Sequence, residues 1–253
     1  MGLLLFKIEV EKVKRTEDLQ NVEIALHQAG FQVSQRCISR ASCFDFATRR
    51  DGSLIFIKVF LNINDISKTS AQGIRTVSRC FSAASLFISK MKGEEMLRDD
   101  TVYSRYGVNV VTPKTFEDTC QRNIHPLVKA APGGYFVKMD SRKIRERRHE
   151  LRLSIGKLAA MTDISRRTLY GYEKGMTCAA VQVAYKLEKV LGVPLVKTVD
   201  LFEASRKVPA FISTDLDNCD NVRSGIVMSA LKNLSQLNLR VSFIPKAPFR
   251  FCC

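Results

Sequence analysis

The sequence predicts an α/β N-terminal domain, a mixed sheet with flanking helices, followed by an all-α module. Three observations predict it. After Gly30 the apolar period switches from helical to strand-like, and it then alternates between the two as far as Gln121. Ala131-Pro132-Gly133-Gly134 punctuates the chain. From Asp140 to Leu195 the pattern is helical and strongly basic.

Taken in order, Leu19, Val22, Ala25, Leu26 and Ala29 recur at helical spacing over Asp18 to Ala29, and Gly30 supplies a stop. Phe31 to Ser34 alternates as a strand, and Cys43 to Ala47 reads as a second. Asp51-Gly52 is a hairpin turn into a third strand, Ser53 to Leu61, whose nearly unbroken apolar character predicts a central position. A helix is expected over Ser70 to Phe81, a strand over Ala84 to Ser89, further strands around Tyr103 and over Val108 to Val111, and a short helix over Thr115 to Gln121. Tyr135 to Val137 is a short extended lead-in to the basic module. Beyond Ser205 the pattern gives a helix near Val222 to Leu234 and a strand over Leu239 to Ile244.

Composition narrows the function. The 253 residues carry 40 Lys and Arg against 25 Asp and Glu, a formal net charge of +15. Residues 138–200 hold 14 basic and 7 acidic side chains, so +7 of that excess lies in a quarter of the chain. Such a charge suits phosphates or an acidic membrane surface. The 8 Cys contain no Cys-x-x-Cys pair and the 3 His are not spaced to complete a zinc site with them, so buried free thiols are expected and a metal is not. Gly2-Leu3-Leu4-Leu5-Phe6 is broken by Lys7 and Glu9 too early for a secretory leader, and no run approaches the ~18 apolar residues that cross a bilayer. A soluble, cytoplasmic protein with no membrane partner is expected. No glycine-rich phosphate loop or cofactor fingerprint occurs, so no small-molecule cofactor is expected.

Ile144 to Leu195 reads as five short helices. The first carries Arg145, Glu146, Arg148 and His149, with Ile144, Leu151 and Leu153 as its apolar side. Ser154 caps Ile155 to Met161; after the tight Thr162-Asp163-Ile164 connection, Ser165 caps Arg166 to Glu173, which Lys174-Gly175 stops. Two capped helices so close together have helix-turn-helix geometry, in which the second helix enters the major groove. Leu153-Ser154, Leu158-Ala159, Ile164 to Leu169 and Tyr172 to Gly175 carry a resemblance to the lambda-repressor/Cro-like helix-turn-helix family over about sixty residues. By position Ser165, Arg166, Arg167 and Tyr170 face the groove, Arg being able to donate bidentately to a guanine edge. Lys157, Lys174 and Arg142 are candidates for phosphate contacts. A solvated helix face explains any one of these side chains alone; the grouping points to DNA. Ile155 stands where many members of that family place a phosphate-holding Gln, so that contact is either missing or supplied by Lys157.

Gly30-Phe31-Gln32-Val33, Arg36, Asp45 and Ile57-Lys58 resemble the restriction-endonuclease-like fold of archaeal Holliday-junction resolvases. That resemblance implies Mg²⁺ held by a strand carboxylate, an acidic-x-Lys on the next strand and often a helical Glu. Asp45 and Lys58 match, and Glu23 is placed for the helical carboxylate. Phe56 does not match: it occupies the second acidic position, and a phenyl ring cannot coordinate a hard cation. Glu9 and Asp51 are substitutes only if folding brings them in. The expectation is therefore an inactive nuclease fold in which Asp45 and Lys58 remain as a buried or half-buried ion pair, with no catalytic residue. The alternative is a Mg²⁺-dependent nuclease or junction resolvase targeted by the helix-turn-helix.

The combined order resembles the archaeal HTH-type transcriptional regulatory proteins. The resemblance is carried by Gln35-Arg36, Ser42 to Asp45, Arg49-Arg50, Ile57-Lys58-Val59, Val102 to Val108, Ala131 to Gly134 and Ser165 to Thr168. It divides the chain into a restriction-endonuclease-like α/β domain over 1–125, a linker over 126–138, a Cro-like helix-turn-helix domain over 139–205 and a partial C-terminal α/β segment over 206–253, members of that family continuing further. It implies a sequence-specific regulator that binds double-stranded DNA as a homodimer, the N-terminal domain supplying pairing or non-specific DNA contact. A non-DNA adaptor is disfavoured, since it has no use for the Ser165-Arg166-Arg167 face.

Overall fold

A computed structural model of the protein describes the backbone over residues 2–37, 42–203, 242–243 and 251–252, and side chains over 13–37 and 42–203. The helix expected near 222–234 lies outside the described residues. Of the strand expected over 239–244, Ser242–Phe243 is described, paired antiparallel with Phe251–Cys252.

The first helix, α1 (Gly2–Gln28), runs well N-terminal of the expected start. Its end is set locally. Gly30 adopts φ +77°, the Gly30 and Phe31 N–H groups donate to the His27 and Leu26 carbonyls, and Phe31 packs with Leu26. This is a Schellman ending, which needs glycine at the left-handed position. Strand β1 (Gln32–Val33) follows. The next strand, β2 (Phe46–Arg50), starts later than expected, because Ser42 to Asp45 turn Cys43 and Phe44 into a core and use Asp45 for side-chain bonds. Asp51 and Gly52 both have positive φ, as a two-residue type I′ hairpin requires, and lead into β3 (Ser53–Asn62).

A short 3-10 turn leads to α2 (Lys68–Cys80), capped by Ser67, and then β4 (Ala84–Lys92) runs parallel to β3. Two-residue β5 (Glu95–Met96), β6 (Thr101–Arg105), β7 (Val108–Val111) and α3 (Pro113–Gln121) complete this half. Strand β3 lies between β2 and β4, as its apolar run predicts. Ile55, Ile57 and Val59 pack beneath α1 and α3 with Leu26 and Phe116, while Phe56 enters the opposite core with Ile74 and Val77 of α2.

The segment read as a linker is built as a hairpin. Strands β8 (Val128–Ala131) and β9 (Gly134–Met139) pair with each other around Pro132-Gly133, a Pro-Gly order that suits a tight turn. β8 adds in parallel to β6, whereas β9 takes up β10 (Ala179–Ala180) and β11 (Val196–Lys197). One sheet therefore runs from β1 through β9 into the basic module.

That module has four helices rather than five: α4 (Ser141–Glu150), α5 (Ile155–Thr162), α6 (Arg166–Glu173) and α7 (Val181–Leu191). Gly192 at φ +68° and Pro194 end α7, and the chain returns as β11. Glu188 fixes this return by accepting from the Leu195 and Val196 N–H groups at 2.7 and 3.1 Å. Val137 and Met139 of β9 are buried with Ile144, Leu158, Leu169, Tyr172 and Leu187, so the hairpin supplies part of the module's core. Among the described residues no helix is long and apolar enough to cross a membrane. Cys43 and Cys120 are buried, and burial pushes their thiols up to about 11 and about 12. Cys178 departs from the expected burial and is exposed.

Candidate nucleic-acid interface

Three side-chain caps fix the helices of the basic module. Asp140, Ser154 and Ser165 accept from the N–H groups of Lys143, Lys157 and Thr168 at 3.1, 3.1 and 3.0 Å. Asp163 ends α5 in the left-handed conformation, φ +56°, and turns the chain into α6 within two residues. Leu169 and Tyr172 of α6 are buried, and at 100° per residue they fall on the opposite arc from Arg166, Arg167, Tyr170 and Lys174.

Arg166, Arg167 and Tyr170 are exposed on the outer arc of α6. Ser165 is exposed too, but its hydroxyl is occupied as a cap and by Thr168 Oγ1 at 2.8 Å. The Arg166 guanidinium lies over Gly156 at the start of α5, where an added Cβ would sit 3.0 Å from its Nε. Together with Arg167, Tyr170 and Ser154 it lines an open groove between the two helix starts. Lys174 Nζ sits 5.5 Å from the Tyr170 ring centroid, a cation–π distance that draws it to the same face. Lys157 is exposed on α5. Arg142 is exposed on α4, its Nε 3.7 Å from Glu146.

Behind this face lies a pair that the sequence reading did not single out. Arg148 on α4 donates to Glu173 on α6 at 2.6 and 3.0 Å, with both side chains nearly inaccessible. Arg148 also donates to the Leu153 carbonyl at 3.0 Å. A signal was available: Arg148 is four residues after buried Ile144, and Glu173 four after buried Leu169, so each charge interrupts an apolar stripe.

In the N-terminal half, Asp45 and Lys58 do come together. Lys58 Nζ is 3.7 Å from Asp45 Oδ1, both side chains being 10% exposed, and it donates to the Ser42 carbonyl. Burial lowers the Lys58 pKa, with Asp45 opposing that shift. Arg15 of α1, which no local pattern marks, closes over the same carboxylate at 3.1 and 3.3 Å, and the Val59 N–H donates to Asp45 Oδ2 at 2.8 Å. Both oxygens are thus held by donors of this chain. Phe56 is buried, its ring 4.7 Å from that of Phe44 and 5.9 Å from that of Phe81. Glu23 is bonded to Arg36, and Asp51 is exposed at the hairpin tip. Side chains before residue 13, Glu9 included, lie outside the described ones. Among the described residues no group of three or more His, Cys, Asp or Glu is placed to hold a metal ion. A divalent cation does not fit this donor set: aromatic packing fills the second acidic position and two cations already occupy the remaining carboxylate.

The chain is similar to two known families in these two regions: residues 15–126 match the PD-(D/E)XK superfamily domain, and residues 144–197 match the helix-turn-helix family. A curated relative from Archaeoglobus fulgidus, named "Putative HTH-type transcriptional regulatory protein", is 32% identical over 91% of this chain and 72% of its own length. One of the same name from Methanothermobacter thermautotrophicus is 34% identical over 76% of this chain and 61% of its own. The chain thus spans between three fifths and three quarters of the length of these relatives. Among solved structures, the SinR protein/SinI protein complex aligns with 40% of this chain and 97% of its own at 16% identity and a TM-score of 0.21.

Proposed function

We propose, on the premise that this chain belongs to the family of archaeal HTH-type transcriptional regulatory proteins, that it is a sequence-specific DNA-binding transcriptional regulator. One observation carries the reading: α6 is capped, buried on one side through Leu169 and Tyr172, and exposes Arg166, Arg167 and Tyr170 together on the other. Arg166 and Arg167 then read base edges in the major groove, with Tyr170 beside them. Ser165 contributes through its cap, and Lys157, Lys174 and Arg142 hold phosphates. A homodimer in the cytoplasm, placing two such helices on half-sites a helical turn apart, gives a small contact per subunit useful affinity.

The reading is tested by selecting bound duplexes from random DNA at two salt concentrations. A two-fold symmetric motif at both is expected; enrichment of branched DNA without a common sequence would favour junction recognition instead.

The nuclease-like half is proposed to be inactive, since Arg15 and Lys58 occupy the Asp45 carboxylate and Phe56 is packed between aromatic rings. Restoring the acidic position makes a sharp check. Phe56→Asp is expected to lower the melting temperature, because it empties a packed site and buries a carboxylate, at a cost of about 3–5 kcal/mol. Neither the wild type nor this variant is expected to show Mg²⁺-dependent cleavage of linear or branched duplex; cleavage by the wild type refutes the proposal, and cleavage by the variant alone would show that Arg15 and Lys58 do not block Asp45 and that Phe56 is the sole cause.

A further inference from the structure

We propose that the outer face of α2 and the adjoining β6–β7 turn form a second surface for duplex DNA, which follows the phosphates flanking the site read by α6. This rests on the DNA-binding reading above. Helix α2 has no acidic residue. Its exposed positions Lys68, Gln72, Arg75 and Arg79 are spaced by four, three and four residues, and at 100° per residue they fall within a single narrow stripe. At 1.5 Å per residue that stripe is about 17 Å long, enough to lie beside on the order of ten phosphate charges of a duplex.

The β6–β7 turn extends the stripe. Arg75 Nη1 donates to the Tyr106 carbonyl at 3.3 Å, next to Gly107, which stands at φ +77°. Arg105 covers the exposed Tyr106 ring at 4.8 Å, and Arg98 covers the exposed Tyr135 ring at 5.2 Å. Lys68, Arg75, Arg79, Arg98 and Arg105 enter none of the ion pairs among the described residues. No carboxylate among the described residues neutralises them.

Sheet register places this stripe and the recognition helix together. Ladder partners point to the same face of a sheet. Phe87 partners Val110, Val110 partners Tyr103, and Thr101, two residues before Tyr103, partners Val128, which in turn partners Val137. Phe87 and Val110 pack against Ile74 and Val77 of α2, while Val128 and Val137 pack with Leu158 and Leu169 of α5 and α6. Helix α2 and the helix-turn-helix therefore cover one face of the same sheet, and Tyr103, Arg105 and Tyr135 lie on the strands between them. A rod of regular negative charge suits such a row. A membrane does not, since the apolar side of α2 is buried against the sheet and nothing apolar on its outer face remains to insert.

The test uses the full chain and two fluorescent probes carrying a selected half-site: a duplex just long enough for that half-site, and one extended by two helical turns on each side. The wild type is expected to bind the extended duplex about 10- to 100-fold more tightly, and Lys68→Gln/Arg75→Gln/Arg79→Gln to lose most of that gain with the short duplex unaffected. The slope of log affinity against log salt should fall by about 2–3, near 0.9 per phosphate contact removed. Arg98→Gln/Arg105→Gln gives an independent, smaller reduction that does not depend on the folding of an altered α2. No gain from flanking duplex, or an unchanged slope in both variants, overturns the proposal, as does an equal gain from single-stranded flanks. An Arg166→Ala/Arg167→Ala protein titrated on extended duplexes of selected and scrambled sequence separates the two readings: intact selectivity defeats the role of α6, whereas the salt slope still reports on α2.

Discussion

Glu173→Ala is expected to destabilise the helix-turn-helix by about 3–5 kcal/mol, a large share of the stability of a small module, although the residue contacts no ligand in any proposed role. The reason is what it leaves behind. Arg148 is buried, it cannot release its proton at any accessible pH, and its two strongest acceptors are the carboxylate oxygens at 2.6 and 3.0 Å. With Glu173 gone it keeps the Leu153 carbonyl at 3.0 Å and a long contact to His149 Nε2 at 3.4 Å, neither of which carries a compensating negative charge. The lost pair also joins α4 to the C-terminal end of α6, so the face carrying Arg166 and Arg167 loses its anchor. Arg148→Met/Glu173→Leu, which removes both charges and keeps volume, is expected to recover most of the loss, because a well-packed apolar pair often matches a buried ion pair in stability. Chemical denaturation of the wild type and these two variants measures the effect. A loss below about 1 kcal/mol for Glu173→Ala would show that water reaches Arg148, contrary to its burial.

The elements that were legible in the sequence are those whose information is local. Gly30 had to stop α1 because the Schellman ending needs a left-handed residue there, and Asp51-Gly52 had to turn because both positions take positive φ. The serine caps at Ser154 and Ser165 were read from the same kind of signal, and the outer arc of α6 followed from them. Pro132-Gly133 carried less information. The same dipeptide suits a linker and a hairpin turn, and the choice between them was made by the parallel pairing of β8 with β6, a contact that nothing in residues 126–138 encodes alone. Five helices were expected within Ile144 to Leu195 and four are built there, while Ala179-Ala180 and Val196-Lys197 on either side of α7 pair with β9, a partner that no local signal announces. In the N-terminal half the Asp45 and Lys58 pair was legible and its occupant was not, since Arg15 reaches it from thirty residues away.

This arrangement ties the two halves mechanically. The β8–β9 hairpin hydrogen-bonds to β6 through one edge and to β10 and β11 through the other, while its side chains complete the core beneath α5 and α6. A substitution in the hairpin therefore acts on the helix-turn-helix through packing as well as through the sheet, unlike a change in a flexible tether.

Arg166→Ala/Arg167→Ala is expected to abolish sequence selectivity while leaving the fold intact. Both side chains are exposed on the side of α6 away from Leu169 and Tyr172, and neither contributes to a cap or to an ion pair among the described residues, so thermal stability should change little. Each bidentate contact to a guanine is worth about 1–3 kcal/mol of discrimination, so losing two reduces the ratio of specific to non-specific affinity by about 100-fold or more. Residual binding should persist at low salt through the phosphate-contacting lysines and fall steeply as salt rises. The two arginines are not equivalent in the free protein. Arg166 rests on Gly156 and has to leave that position to reach a groove, whereas Arg167 is open. Arg167→Ala alone should therefore produce the larger loss, and Arg166→Lys should not restore Arg166, because an ammonium lacks the planar fork that matches a guanine edge. Mobility-shift titration of selected and scrambled duplexes with the single and double variants decides this. Equal affinity for the two duplexes in the double variant is the expected result, and retained selectivity would remove α6 as the reading element.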